Sequence, residues 1–192
     1  MAFLATGSAA IAQTVTSQTF DNQASSYRLF MLGRHLEGEG ELESAIAAFR
    51  DAAQLDTEAA EPLAELSGLF ARAGRADEAI TAGEEALIRD SENRTAHRIL
   101  GLTYASSTDG REASARDVTR AISHLSQARG PLIPDLQVDL TLARLYLRTD
   151  AIDDATVLLE ELARDEPGVI EISLLLSQAY EQAGRHDIAL ET

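Results

Sequence analysis

The chain has 192 residues, no cysteine, no tryptophan, and 32 acidic residues against 16 basic ones, for a net charge of −16. That length supports a sizeable core, and the missing cysteines exclude disulfides and thiolate metal sites. The charge repels phosphate backbones and anionic lipid, so neither nucleic acid nor a membrane surface is an expected partner.

Residues 1–25 stand outside the pattern that organises the rest. Met1 to Ala12 is small and apolar and ends Ala10-Ile11-Ala12 before Gln13, the A-x-A shape at which a secretory signal peptide is cleaved. A basic leader is missing and the apolar run is short. The segment therefore reads as a signal truncated at its start, or as a disordered polar tail, since Gln13 to Ser26 is rich in Ser, Thr, Gln and Asn. The first reading puts the protein in a periplasm or outside the cell, the second in the cytoplasm.

From Ser26 onward, apolar residues recur with helical spacing and glycine or proline punctuates them. The spacing predicts helices near Ser26 to Glu37 and Glu41 to Leu55, joined by Gly38-Glu39-Gly40. A second pair runs from Ala60 to Arg72 and from Ala76 to Ile88, with Pro62 in a first turn where a missing N–H costs nothing. Asp90-Ser91-Glu92-Asn93 supplies a turn and an N-cap for a helix from Arg94 to Ala105. The polar run Ser106 to Arg111 follows, an exposed insertion that lengthens the start of the next helix, which stops at Gly130-Pro131. Helices after Pro134-Asp135 to Arg148 and from Ile152 to Arg164 come next. A break at Glu166-Pro167-Gly168 then leads to a helix ending near Ala183-Gly184 and to the start of one more.

These pairs are copies. One small residue recurs as Ala45, Ala79, Ala121, Ala155 and Ala189, at spacings of 34, 42, 34 and 34. A single helical hairpin cannot bury both of its apolar sides, so it needs neighbours stacked against it. The first copy reads Leu29, Leu32, Gly33 and Leu36, then Ala45, Phe49 and Ala52. The third has His97-x2-Leu100-Gly101-x2-Tyr104, and the fourth has Leu142, Tyr146, Ala155, Leu159 and Pro167.

In this pattern the chain resembles the tetratricopeptide repeat (TPR) family, whose signature is W-x2-L-G-x2-Y, A-x3-F and a late proline. The tryptophan is absent throughout, Gly83 stands where the family prefers an aromatic, and Asp150 stands where it prefers glycine. The resemblance implies an all-α, right-handed superhelical solenoid with repeats at about 26–59, 60–93, 94–135, 136–169 and a partial 170–192. It also implies a concave groove lined by the first (A) helix of each repeat. Mapped onto this chain, the peptide-binding residues are Tyr27, Phe30, Arg34, Arg72, Arg98, Gln137, Arg144, Arg148, Gln178 and Glu181. The groove arginines either grip carboxylates bidentately or pair with nearby glutamates. The family's carboxylate clamp is not expected: Phe30, Arg34, Glu65, Thr95 and Ile99 occupy its positions, only Arg34 keeps its general character, and Glu65 repels a terminal carboxylate.

Residues able to carry chemistry are sparse. His35, His97, His124 and His186 lie in different repeats without the partner spacing of a metal site. Ser123 and His124 are adjacent, so on a helix they point apart and do not form a nucleophile–base pair. Asn93-Arg94-Thr95 matches a glycosylation triplet, a pattern common by chance. No cofactor or metal is expected. The implied function is a non-catalytic scaffold that binds a peptide or protein segment, as in an assembly of a bacterial envelope. The alternative is the repeat module of a larger enzyme, such as a transferase, with its catalytic domain elsewhere. The last repeat carries Ile170, Ile172, Leu174, Leu175, Leu176 and Tyr180, with only Ile188, Ala189 and Leu190 to cover them. An exposed apolar end and a possible homodimer through it are therefore expected.

Overall fold

A computed structural model describes residues 6–107, 114–130 and 134–189, with side chains from residue 18 onward. Most of the insertion and Leu190 lie outside the described residues. Among the described residues the protein is all-α, as the periodicity predicts. The helices are α1 (Thr6–Gly38), α2 (Leu42–Leu55), α3 (Glu61–Arg72), α4 (Ala76–Arg89), α5 (Arg94–Ser107), α6 (Ala115–Ala128), α7 (Leu136–Arg148), α8 (Ile152–Asp165), α9 (Ile170–Gln182) and α10 (His186–Ala189). The chain divides into two compact units, Met1–Ala96 and His97–Thr192.

One element departs from expectation. The first helix begins at Thr6 rather than near Ser26. After Gly7 its first turns hold neither glycine nor proline, and alanine and glutamine are good helix formers. Extending a helix that α2 already anchors requires no new nucleation. Over residues 18–25 packing does not explain the extension, because these are exposed or half-buried.

In the first unit α1 packs on α2, α2 on α3 and α3 on α4. The crossings depend on small residues. Ala45 and Ala79 are fully buried, and a Cβ placed on Gly33 would sit 2.8 Å from the Phe49 ring. Leu63, Leu66, Leu69 and Phe70 of α3 and Ala82 and Ala86 of α4 complete this core. Arg89 locks its base: Nη1 donates to the carbonyls of Ala53, Asp56 and Ala59 at 3.1, 3.0 and 2.9 Å. These carbonyls lie at and beyond the C-terminus of α2, where a cation is favourable.

The second unit repeats the arrangement. Ala121 and Ala155 are fully buried and Ala189 nearly so. Gly101 of α5 lies against α6, where an added Cβ would meet Leu125 Cγ at 2.7 Å and the Leu125 backbone nitrogen at 3.0 Å. Ser114 caps α6 by accepting from the Arg116 N–H, and Asp135 caps α7 by accepting from Gln137 and Val138. The insertion acts at both of its ends. Its first residues carry α5 to Ser107, and α6 starts six residues before Ala121, whereas α2, α4 and α8 start three residues before Ala45, Ala79 and Ala155.

The turn between A and B helices needs one residue in the left-handed region. Gly40, Gly74 and Gly184 supply it at φ of 78°, 73° and 73°. Asp150 takes the same conformation at φ 62°, which aspartate tolerates better than most residues. The departure from the family pattern at Asp150 thus leaves the turn unchanged.

Candidate functional site

The A-helix face of the first unit combines a neutralised charge network with an apolar hollow. Arg34 of α1 donates to Glu65 of α3 at 2.5 Å and lies 4.0 Å from Glu37. Arg72 of α3 donates to Glu37. Two arginines and two glutamates therefore alternate across α1 and α3. Beside them is an open concavity of about 240 Å³, lined among others by Tyr27, Phe30, Asp56, Ala59, Glu61 and Pro62. Tyr27 is 64% exposed, while Phe30 is half-buried and packs on Phe49 with ring centroids 5.6 Å apart.

In the second unit the A helices α5, α7 and α9 are linked in the same way. Arg98 of α5 donates through Nε to Asp135 at 2.5 Å and through Nη2 to Gln137 at 2.9 Å. Arg144 of α7 donates to Glu171 of α9. The Asp135 carboxyl is opposed by burial, yet the hydrogen bond from Arg98 and the cap N–H groups outweigh that and hold it below its ordinary range. A concavity of about 320 Å³ lies against α5 and α7, with Leu102, Gln137, Thr141, Arg144 and Arg148 among its lining residues.

Of the ten residues mapped to the groove, five thus line concavities: Tyr27 and Phe30 in one unit, Gln137, Arg144 and Arg148 in the other. Arg34, Arg72 and Arg98 lie in ion pairs between A-helix segments. Gln178 and Glu181 are exposed on α9 and line neither hollow. Four of the five groove arginines, Arg34, Arg72, Arg98 and Arg144, already engage carboxylates of their own unit.

Two features escape sequence reasoning. His97 and His124 read as scattered, but the α5–α6 crossing brings their Nδ1 atoms to 2.9 Å. Tyr104 stacks on His124 at a 9° interplanar angle. The insertion obscured this pairing by displacing the repeat register. Among the described residues no three histidine, cysteine or acidic side chains gather to hold a metal. The second feature is Asp139, which is buried although its position suggests an exposed first turn. Arg129, just past α6, donates Nε to Asp139 at 2.6 Å and Nη2 to Glu161 at 3.0 Å. Burial pushes the Asp139 carboxyl above its ordinary value despite Arg129. For Arg129, burial opposes the charge, but two carboxylates outweigh it and raise its pKa. The aspartate has a single cation to offset its burial, so the pair is lopsided.

The Asn93 side-chain oxygen accepts from the Ala96 N–H at 2.9 Å and caps α5. In the last repeat, Ile172, Leu175, Leu176 and Tyr180 of the apolar set are buried. Both α8 and α10 pack on α9: Tyr180 donates to Glu160 of α8 at 2.8 Å, and Ala189 of α10 is buried with its carbonyl accepting from Ser177 Oγ at 2.9 Å. Ile170 and Leu174 remain exposed, at 84% and 68%. No described helix is long and apolar enough to cross a membrane.

A tetratricopeptide repeat profile matches residues 30–94 and 68–130, and the chain belongs to that family. Its repeat class is that of protein-interaction scaffolds. No curated protein matches it in sequence. Among solved structures it resembles YrrB, described as a TPR protein with an unusual peptide-binding site, with a TM-score of 0.74 at 19% identity, covering 92% of this chain and 87% of that one. It also resembles MamA, with a TM-score of 0.69 at 21% identity over 87% of each chain. The pilF protein of Pseudomonas aeruginosa matches at 0.67 and 18% identity, over 89% of this chain and 74% of that one. At such identities the likeness is one of fold.

Proposed function

We propose that this protein is a non-catalytic scaffold that takes a peptide or protein segment on its A-helix faces. The observation that supports this most is that residues mapped to the groove line a concavity in each unit, while four of the five groove arginines already engage carboxylates of their own unit. A ligand held there is recognised by shape, apolar contact and hydrogen bonding more than by arginine–carboxylate forks. YrrB, a structural neighbour, is described as having an unusual peptide-binding site, and that supports the same use of this fold. The acidic surface disfavours nucleic acid. Pull-down from the native host tests the proposal: Tyr27→Ala and Gln137→Ala should lose the captured protein while Val157→Ala on α8 keeps it. Equal capture by all three variants contradicts it.

A homodimer is a second reading, supported by Ile170 and Leu174. They stand one turn apart on α9 and expose two large apolar side chains together.

A further inference from the structure

We infer that the hollow between α1 and the start of α3 takes a single large apolar side chain from a partner segment whose flanking residues are basic. This rests on the scaffold reading and assigns the ligand chemistry of one part of it. The walls are Tyr27, Phe30, Ala59 and Pro62, and the volume is about 240 Å³. Sites for whole small molecules run to roughly 300–1,000 Å³, so this hollow suits one side chain better than a free metabolite. Three of these walls are held in place by the fold. Phe30 leans on the buried Phe49, Pro62 is itself buried in the first turn of α3, and Arg89 ties down the turn that carries Asp56 and Ala59.

The rim sets the charge of the occupant. Asp56 and Glu61 are the ionisable side chains that line the hollow, and neither forms an ion pair among the described residues. One oxygen of Asp56 accepts from the Glu58 and Ala59 N–H groups, and Glu61 is exposed to solvent. The contrast with the adjacent Arg34, Glu37, Glu65 and Arg72 network is informative. There each carboxylate faces an arginine. At the hollow the carboxylates are left over, on a chain whose net charge of −16 attracts cations from a distance. The nearby Arg89 is committed to three carbonyls, and Arg28 donates to Ser25 at 2.7 Å. A hydrophobic anchor with lysine or arginine on either side matches both the walls and the rim.

The test is a nitrogen-15 amide NMR titration of the full chain with three capped five-residue peptides: Lys-Lys-Phe-Lys-Lys, Lys-Lys-Ala-Lys-Lys and Glu-Glu-Phe-Glu-Glu. The first should shift the amides of Tyr27 to Met31 and of Ala59, Ala60, Glu61 and Leu63 saturably. Replacing its phenylalanine by alanine should weaken binding about tenfold or more. Glu61→Gln should weaken it by about two- to fivefold and flatten its salt dependence. Equal binding of the acidic peptide overturns the charge assignment, and no shift at those amides overturns the site. Shifts confined to Gln137 through Arg148 overturn this assignment but leave the scaffold reading standing, because that face is the other concavity.

Discussion

Arg34 on α1 reaches Glu65 on α3 at 2.5 Å, joining two successive A helices across the face where a ligand is expected. Glu65 is the residue that argues against a carboxylate clamp, and here it has its own cation. The pair is exposed, with 52% and 21% of the two side chains accessible. A double-mutant cycle over Arg34→Ala and Glu65→Ala should give a coupling of about 0.2–1 kcal/mol that shrinks with added salt. A coupling above about 3 kcal/mol would be the size for a buried pair and would contradict this picture of the face.

Gly101→Ala sets two effects against each other. Alanine is favoured over glycine inside a helix by about 1 kcal/mol, but its Cβ would meet Leu125 Cγ at 2.7 Å and the Leu125 nitrogen at 3.0 Å. Backbone cannot swing away like a side-chain tip, so overpacking should dominate, with a net loss of about 1–3 kcal/mol in denaturant unfolding. Ala121→Leu, at the fully buried crossing on α6, should cost a similar amount. Unchanged stability in both would mean that the α5–α6 crossing is looser than described.

Asp139 and Asp135 should respond oppositely to pH. Asp139 has its pKa raised in the fold, so its stabilising contribution is full below the ordinary aspartate value of 3.8 and is lost as pH rises through the higher folded value. Asp139→Asn should therefore gain on the wild type as pH rises from acid to neutral. Asp135 has its pKa lowered, so its contribution is present above the ordinary value and is lost as pH falls through the folded one. Asp135→Asn should be less stable at neutral pH, and the deficit should vanish on acidification. Thermal melts across the acid-to-neutral range check both signs.

Much of this was legible in the chain. Ala45, Ala79, Ala121 and Ala155 mark helix crossings because only a small residue fits there, and a 34-residue period makes that visible. Gly40, Gly74 and Gly184 mark turns for the same kind of reason. The extension of α1 to Thr6 was not legible, because it follows from continuous helix propensity in a stretch that lacks any repeat signature. The His97–His124 contact and the burial of Asp139 were also hidden. Each depends on which residues a crossing places opposite one another, and sequence periodicity gives the face of a helix but not its neighbour. The ion-pair partners of the groove arginines were hidden for the same reason.

The exposed pair Ile170 and Leu174 makes a prediction about association. Sedimentation of the chain at high micromolar concentration should show a dimer, and Leu174→Glu should return it to monomer without loss of helix content. A monomer at that concentration contradicts the homodimer reading and leaves the A-helix faces unaffected.

The most direct measurement of the central claim is site-specific photo-crosslinking in the native host. A benzophenone side chain is placed at Tyr27 or Gln137 on the A-helix faces, and separately at Ile88 of α4 or Val157 of α8. All four positions are exposed, so accessibility does not bias the comparison. A-helix faces that bind a protein segment predict a discrete adduct from Tyr27 or Gln137 and none from Ile88 or Val157. Adducts from Ile88 or Val157 alone would place the interaction on the B helices and contradict the account.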